Sequence, residues 1–165
     1  MQPNLLVLRS LTKDCAIPGL RLGFAVAPEP VIAALASLQP TWSVNTLAQA
    51  AGLAALDDTE HWDRSLRALA AAKDYLETAL PALGLTVHPS AANFLLVDAV
   101  SGPGGFASGA ALRSALLPEG CCLRDCAALG LPRPLRIGVR TQTECRTLVA
   151  ALRRVLNGSG ETEVR

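Results

Sequence analysis

The sequence predicts an α/β protein, and three observations carry that prediction. Short apolar runs bounded by turn residues alternate with longer stretches of helical periodicity. Of 165 residues, 50% are hydrophobic and 18% charged, which supplies apolar surface for a packed core and too little charge for wholesale disorder. No apolar run reaches the roughly 18 residues of a membrane helix. The longest candidate, around residues 31–38, ends at Pro40.

Residues 5–8 (Leu-Leu-Val-Leu) form an apolar run with the pattern of a buried strand. A polar, Pro- and Gly-containing segment follows from Ser10 to Arg21, and residues 22–26 read as a second strand. Pro30 is tolerated at the start of a helix that runs to about Leu38 and is stopped by Pro40. Ser43 is the expected N-cap of a helix over 44–56. Asp57, Asp58 and Thr59 then head the longest helical pattern, 60–80. Its expected apolar stripe is Leu66, Leu69, Ala70, Lys73, Leu76 and Leu80, with Gly84 just past the end. Beyond it, 85–87, 94–97, 122–124 and 135–139 read as strands and 110–117 as a helix. Thr141-Gln142-Thr143-Glu144 has the form of a capping box and opens a last helix to about Leu156. The polar remainder is expected to fray.

Composition excludes several function classes. Fifteen basic against fourteen acidic residues leave a net charge of +1, no electrostatic footprint for nucleic acid. Aromatic residues are 4%, too few for stacking platforms on single strands. Neither a membrane segment nor a secretory leader is found, so a cytoplasmic protein is expected. An odd number of cysteines, five, reads as reduced thiols. Cys121, Cys122 and Cys126 lie close together, but their spacing is not that of a metal site, and no metal is expected. The Gly102–Gly105 run matches no nucleotide-binding pattern.

The stretch from Ser10 to Gly23 carries the chemistry. It places a hydroxyl, a lysine and an arginine in one loop between two apolar strands, at a strand end where α/β proteins keep their ligands. Burial there would favour the neutral amine of Lys13 as a nucleophile. Arg21 offers a planar fork for phosphate, and Pro18-Gly19 can turn the chain back toward Lys13. Read from the residues alone, this is an anion site with a reactive lysine or a basic surface loop.

The string S-L-T-K followed by P-G-L-R-L-G, with the arginine eight residues after the lysine, resembles the lysine motif of the class I/II aminotransferases. These are fold-type I pyridoxal-phosphate enzymes. The resemblance implies pyridoxal 5'-phosphate as cofactor, Lys13 as its Schiff-base partner, and Ser10 and Arg21 as holders of its phosphate. Residues 39–45 resemble the interdomain segment of the branch that contains histidinol-phosphate aminotransferase and threonine-phosphate decarboxylase. Residues 90–97 resemble the first long strand of the family's small domain. Leu135-Arg136-Ile137-Gly138-Val139 resembles the strand whose arginine grips the substrate carboxylate. Arg124 resembles the small-domain arginine that meets a distal phosphate, a role that Arg133 or Arg140 could share or take.

The resemblance implies an α/β fold comprising the end of the large-domain sheet plus the complete small α+β domain. The expected division is 1–58 with the lysine loop, 59–157 as the small domain joined by a long helix, and 158–165 as a tail. It further implies a small phosphorylated amino acid as substrate and a homodimer when full length, with neither nucleic acid nor membrane as partner. The wording A-I-P-G-L-R-L-G and Trp42 favour the decarboxylase, which takes L-threonine O-3-phosphate to (R)-1-amino-2-propanol O-2-phosphate in cobalamin biosynthesis. A histidinol-phosphate transaminase is the alternative, and a non-catalytic remnant or phosphorylated-acid binding module is a third. Because the resemblance covers only the C-terminal part of the family's proteins, little activity and unpaired strand edges are expected of this chain alone.

Overall fold

The computed structural model describes residues 4–100, 102 and 104–158. The expected tail therefore lies outside the described residues from position 159 onward. The chain divides into two compact units, Met1–Arg64 and Ser65–Arg165.

In the first unit, β1 (Val7–Arg9) and β2 (Phe24–Val26) pair antiparallel in a two-stranded sheet, with Val7 opposite Val26 and Arg9 opposite Phe24. Between them lie a one-turn helix, α1 (Leu11–Asp14), and a 3-10 turn (Pro18–Leu20), neither of which the sequence reading separated from loop. Gly23 is required at the start of β2: a Cβ there would stand 2.6 Å from the Arg9 carbonyl oxygen. Helices α2 (Glu29–Leu38) and α3 (Thr46–Asp57) follow. The buried part is small. Ala48 and Gly52 of α3 are buried, and a Cβ on Gly52 would stand 2.4 Å from the Leu22 side chain and 3.6 Å from that of Leu11.

Two expectations for this unit are corrected. The run at residues 5–8 is not a buried strand: Leu5, Leu6, Val7 and Leu8 are all exposed, because the sheet has only two strands. The α3 N-cap is Asn45, whose Oδ1 accepts from the Ala48 amide at 2.9 Å. Ser43 is instead occupied as acceptor for Gln39 Nε2 at 2.6 Å.

Helix α4 (Thr59–Ala79) starts where Asp58 Oδ1 accepts from the His61 amide at 2.9 Å. Its inward face in the second unit runs through Leu69, Ala72, Leu76 and Ala79, with Leu80 just beyond. Leu66 and Ala70 of the expected stripe face solvent, and Lys73 sits at the flank, where Nζ donates to the Ser90 carbonyl. Gly84 closes the following 3-10 turn at φ +79°, a left-handed conformation that suits glycine.

The second unit is a four-stranded antiparallel sheet in the order β3-β4-β6-β5, formed by Thr86–His88, Phe94–Asp98, Leu131–Gly138 and Arg124–Cys126. Helix α5 (Gly109–Leu116) is capped by Ser108, and α6 (Gln142–Gly158) opens on the expected capping box. In the box, the Glu144 amide donates to Thr141 Oγ1 at 3.3 Å and the Thr141 amide to Glu144 Oε2 at 3.1 Å. Strand β4 alternates half-buried and buried residues, so Leu95 and Val97 turn to the core while Phe94 and Leu96 turn to the open face. Leu135 and Ile137 of β6 meet Leu76 and Leu80, Leu112 and Leu116 of α5, and Val149 and Leu152 of α6 in one core. Strand β6 begins at Leu131, four residues before the expected start. Pro132 and Pro134 lack the amide that a strand reading looks for. Strand β5 starts at Arg124 rather than Cys122, with a register irregularity between Asp125 and Cys126. Among the described residues no helix is long and apolar enough to cross a membrane.

Candidate active site

The five sequence-predicted residues fall in two places, one in each unit. In the first, Ser10 follows β1 and stands at the head of α1, on whose single turn Lys13 lies: the Lys13 and Asp14 amides both donate to the Ser10 carbonyl, at 3.0 and 3.1 Å. That turn brings Lys13 Nζ to 3.3 Å from Ser10 Oγ. Thr12, which the sequence reading passed over, shares a 2.7 Å hydrogen bond with Ser10 Oγ. Arg9 closes the loop from outside, its Nη2 2.9 Å from Asp14 Oδ2.

The Pro18–Leu20 turn forms as expected, the Leu20 amide donating to the Ile17 carbonyl at 3.2 Å. It delivers Arg21 in the left-handed region at φ +53°, a strained conformation for a residue with a Cβ. Arg21 Nη1 donates to the Pro18 carbonyl at 3.2 Å. Ser10, Thr12, Arg21 and Gly23 line one cleft of about 450 Å³. Arg21 and Ser10 therefore share a cleft, and Lys13 is tied to it through Ser10. The expected burial of Lys13 is not found; its side chain is exposed, and Leu11 is the residue of this turn that packs inward.

The second place is the open face of the four-stranded sheet. Arg124 of β5 stands directly opposite Arg136 of β6, which is in turn opposite Leu96. Like charges paired across a ladder repel and are normally avoided. Of the nearby arginines, Arg133 bonds Asp98 Oδ2 at 3.1 Å and Arg140 bonds Glu144 Oε1 at 2.8 Å. Arg124 and Arg136 have no carboxylate partner among the described residues. The Arg136 guanidinium instead lies 4.2 Å from the centroid of the Phe94 ring. This contact is possible because Phe94 is paired with Gly138, so nothing stands between the ring and the arginine two residues away. Phe94 was missed as a site residue; only strand register reveals it.

Arg124, Arg136 and Arg140 line a cavity of about 540 Å³ together with Cys121, Cys122, Thr143 and Glu144. Hydrogen bonds from Arg140 and then from Thr141 hold the Glu144 carboxyl down at about 2. Glu144 is thus fully committed to Arg140 and the helix start. The cavity's remaining charge is positive and uncompensated, an arrangement that takes an acid group. Among the described residues no group of His, Cys, Asp or Glu is arranged to hold a metal ion.

Comparison with known proteins places these features in context. The family model described as aminotransferase class I and II matches residues 1–152. A histidinol-phosphate aminotransferase of Symbiobacterium thermophilum is 41% identical over 154 residues, covering 93% of this chain and 41% of that protein. The crystal structure of the histidinol-phosphate aminotransferase from Clostridium acetobutylicum superimposes with a TM-score of 0.84 at 28% identity, covering 93% of this chain and 46% of that one. L-threonine-O-3-phosphate decarboxylase from Porphyromonas gingivalis shares the fold, with a TM-score of 0.72 at 24% identity over 94% of this chain and 47% of that one. The chain spans less than half the length of each.

Proposed function

Since the chain belongs to the class I and II aminotransferase family, which depends on pyridoxal 5'-phosphate, we propose that it carries the cofactor-lysine loop and the substrate-acid site of a transaminase for a small phosphorylated amine. The observation that carries this reading is the opposed pair Arg124 and Arg136 on the open sheet face, without an acid between them.

The residues of the first cleft fit the cofactor. Lys13 offers a primary amine to an aldehyde, and the Ser10 hydroxyl and Arg21 guanidinium offer donors to a phosphate. The absence of a side chain at Gly23 leaves the backbone of Arg9 closely approached. When bound, the cofactor supplies an electron sink for the bonds at the substrate's α-carbon. Lys13 would hold its aldehyde carbon, and its Nζ, when free, is the base that takes and returns the proton at that α-carbon. Arg136, held over the Phe94 ring, and Arg124 bind and orient the substrate's acid groups.

Transamination is supported by the histidinol-phosphate aminotransferase relative, which is 41% identical over 154 residues. A second reading, decarboxylation of L-threonine O-3-phosphate, is favoured by the wording of residues 16–23 and by Trp42. The two differ in which α-carbon bond is aligned with the cofactor: histidinol phosphate offers the arginines only a phosphate and gives up its α-hydrogen, whereas threonine phosphate also carries a carboxylate, which it gives up as carbon dioxide. Titrating each substrate into the chain, with the arginine Nε–H signals followed by NMR, tests the site. Histidinol phosphate is expected to shift Arg124 and Arg136, and to bind roughly tenfold more weakly when either is replaced by alanine. Equal binding of unphosphorylated histidinol would refute the assignment. Tighter binding of threonine phosphate would favour the decarboxylase.

A further inference from the structure

The arginine cavity holds a second chemistry. All five cysteines are free thiols, but they differ sharply in access. Cys15, Cys126 and Cys145 are buried, and Cys121 is half-buried with its Sγ 3.9 Å from the Glu119 carbonyl. Burial, and then the Glu119 carboxylate, push the Cys121 thiol up. Cys122 alone is exposed. It lines the same cavity as Arg124 and Arg136 and precedes Arg124 by two residues.

We propose that Cys122 is a site of reversible thiolation by a small disulfide bearing carboxylates, the class to which glutathione disulfide belongs. Two guanidinium groups that line the same cavity as the thiol, neither paired with a carboxylate among the described residues, draw in the anionic disulfide and hold the carboxylates of the group it leaves behind. The step balances without a further oxidant. Cys122 Sγ, as thiolate, attacks one sulfur of the incoming disulfide, the old S–S bond breaks, a new one forms to Cys122, and the second half leaves as a thiolate that takes up the proton lost from Cys122. Cys122 is thereby oxidised and the departing half reduced. The carboxylates of the attached group engage the same guanidinium groups as an acid ligand, so the two compete for Arg124 and Arg136, and an added thiol restores the site.

The modification site itself rests on the cavity's geometry; only its consequence for a phosphorylated substrate rests on the function proposed above. The test uses the 165-residue chain, glutathione disulfide as the charged probe and 2-hydroxyethyl disulfide as the neutral one, with intact-mass and peptide mapping. One adduct at Cys122 is expected, absent in Cys122→Ser. In the double variant Arg124→Gln/Arg136→Gln, the rate with glutathione disulfide relative to the neutral probe is expected to fall roughly tenfold. Inorganic phosphate is expected to slow the charged probe and leave the neutral one unchanged. An adduct centred on Cys121 or another cysteine, or a rate ratio indifferent to both arginines and phosphate, would overturn the proposal. Arginine-dependent thiolation in a chain that fails to bind histidinol phosphate would leave the proposal standing and remove the substrate reading.

Discussion

The two units bury their apolar residues very differently. In Ser65–Arg165, helices α4, α5 and α6 place Leu76, Leu112 and Leu152, each at most 1% exposed, against Leu95 and Ile137 of a four-stranded sheet. Among the described residues of Met1–Arg64 the fully or nearly buried apolar side chains are Leu11, Cys15 and Ala48, while Leu38 is 81% and Trp42 97% exposed. Helix α2 has no buried residue at all, although seven of its ten residues, EPVIAALASL, are Val, Ile, Ala or Leu. A helix apolar on every side is ordinarily covered on every side. The lysine loop thus sits on a unit with few buried side chains, and the arginine pair on one with a continuous core.

The largest effect that tests this contrast comes from the cores. Leu152→Ala is expected to cost about 2–5 kcal/mol in urea denaturation of the second unit, the range for a buried leucine that leaves a cavity. Leu38→Ala in the first unit should stay within about 0.5 kcal/mol, as for other exposed positions. Similar losses at the two positions would erase the distinction.

Glycine replacement sharpens it. A Cβ on Gly109 would lie 2.6 Å from the Pro134 carbonyl oxygen, and one on Gly23 the same distance from that of Arg9. Gly109→Ala pushes α5 against a fixed sheet and is expected to cost about 1–3 kcal/mol of global stability. Gly23→Ala can be relieved by parting β1 from β2, so its expected signature is faster amide exchange confined to residues 7–9 and 24–26. A global loss from Gly23→Ala would show that the first unit is as tightly tied as the second.

The smallest expected effect concerns acid. Glu144 is depressed from an ordinary 4.5 to about 2 by Arg140 and Thr141. Its contribution to the start of α6 is therefore complete above pH 4.5 and is lost as pH falls from there toward 2. The α3 cap, Asn45, is neutral and has no such dependence. Amide exchange at residues 142–146 should rise through that window in the wild type and change little in Glu144→Gln, while residues 46–49 stay indifferent to Glu144.

Much of this was legible in the sequence because it is written in local pattern. The capping box at Thr141, the helix from Thr59 and the glycine at 84 follow from short-range rules that the structure obeys. The lysine loop was legible as a motif, down to the Pro18-Gly19 turn. What was not legible depends on partners distant in sequence. Phe94 meets Arg136 only through the register of β4 on β6, and the pairing of β6 with both β4 and β5 has no local signal. Residues 131–134 were hidden by two prolines, and the α3 cap moved from Ser43 to Asn45 because Gln39 engages the serine. Exposure was the other blind spot: an apolar run such as 5–8 looks the same whether or not neighbouring strands cover it.

The assignment of Lys13 to the cofactor admits a direct measurement, because the chain contains two lysines, Lys13 and Lys73. Lys73 already donates to the Ser90 carbonyl and serves as an internal control. The chain is incubated with increasing pyridoxal 5'-phosphate, reduced with borohydride, digested and mapped by mass spectrometry. Saturable labelling of Lys13 at low cofactor concentration is expected, with half-saturation raised roughly tenfold in Arg21→Ala through loss of one charge-assisted contact. Label distributed equally between Lys13 and Lys73, or labelling of Lys13 unaffected by Arg21→Ala, would contradict it.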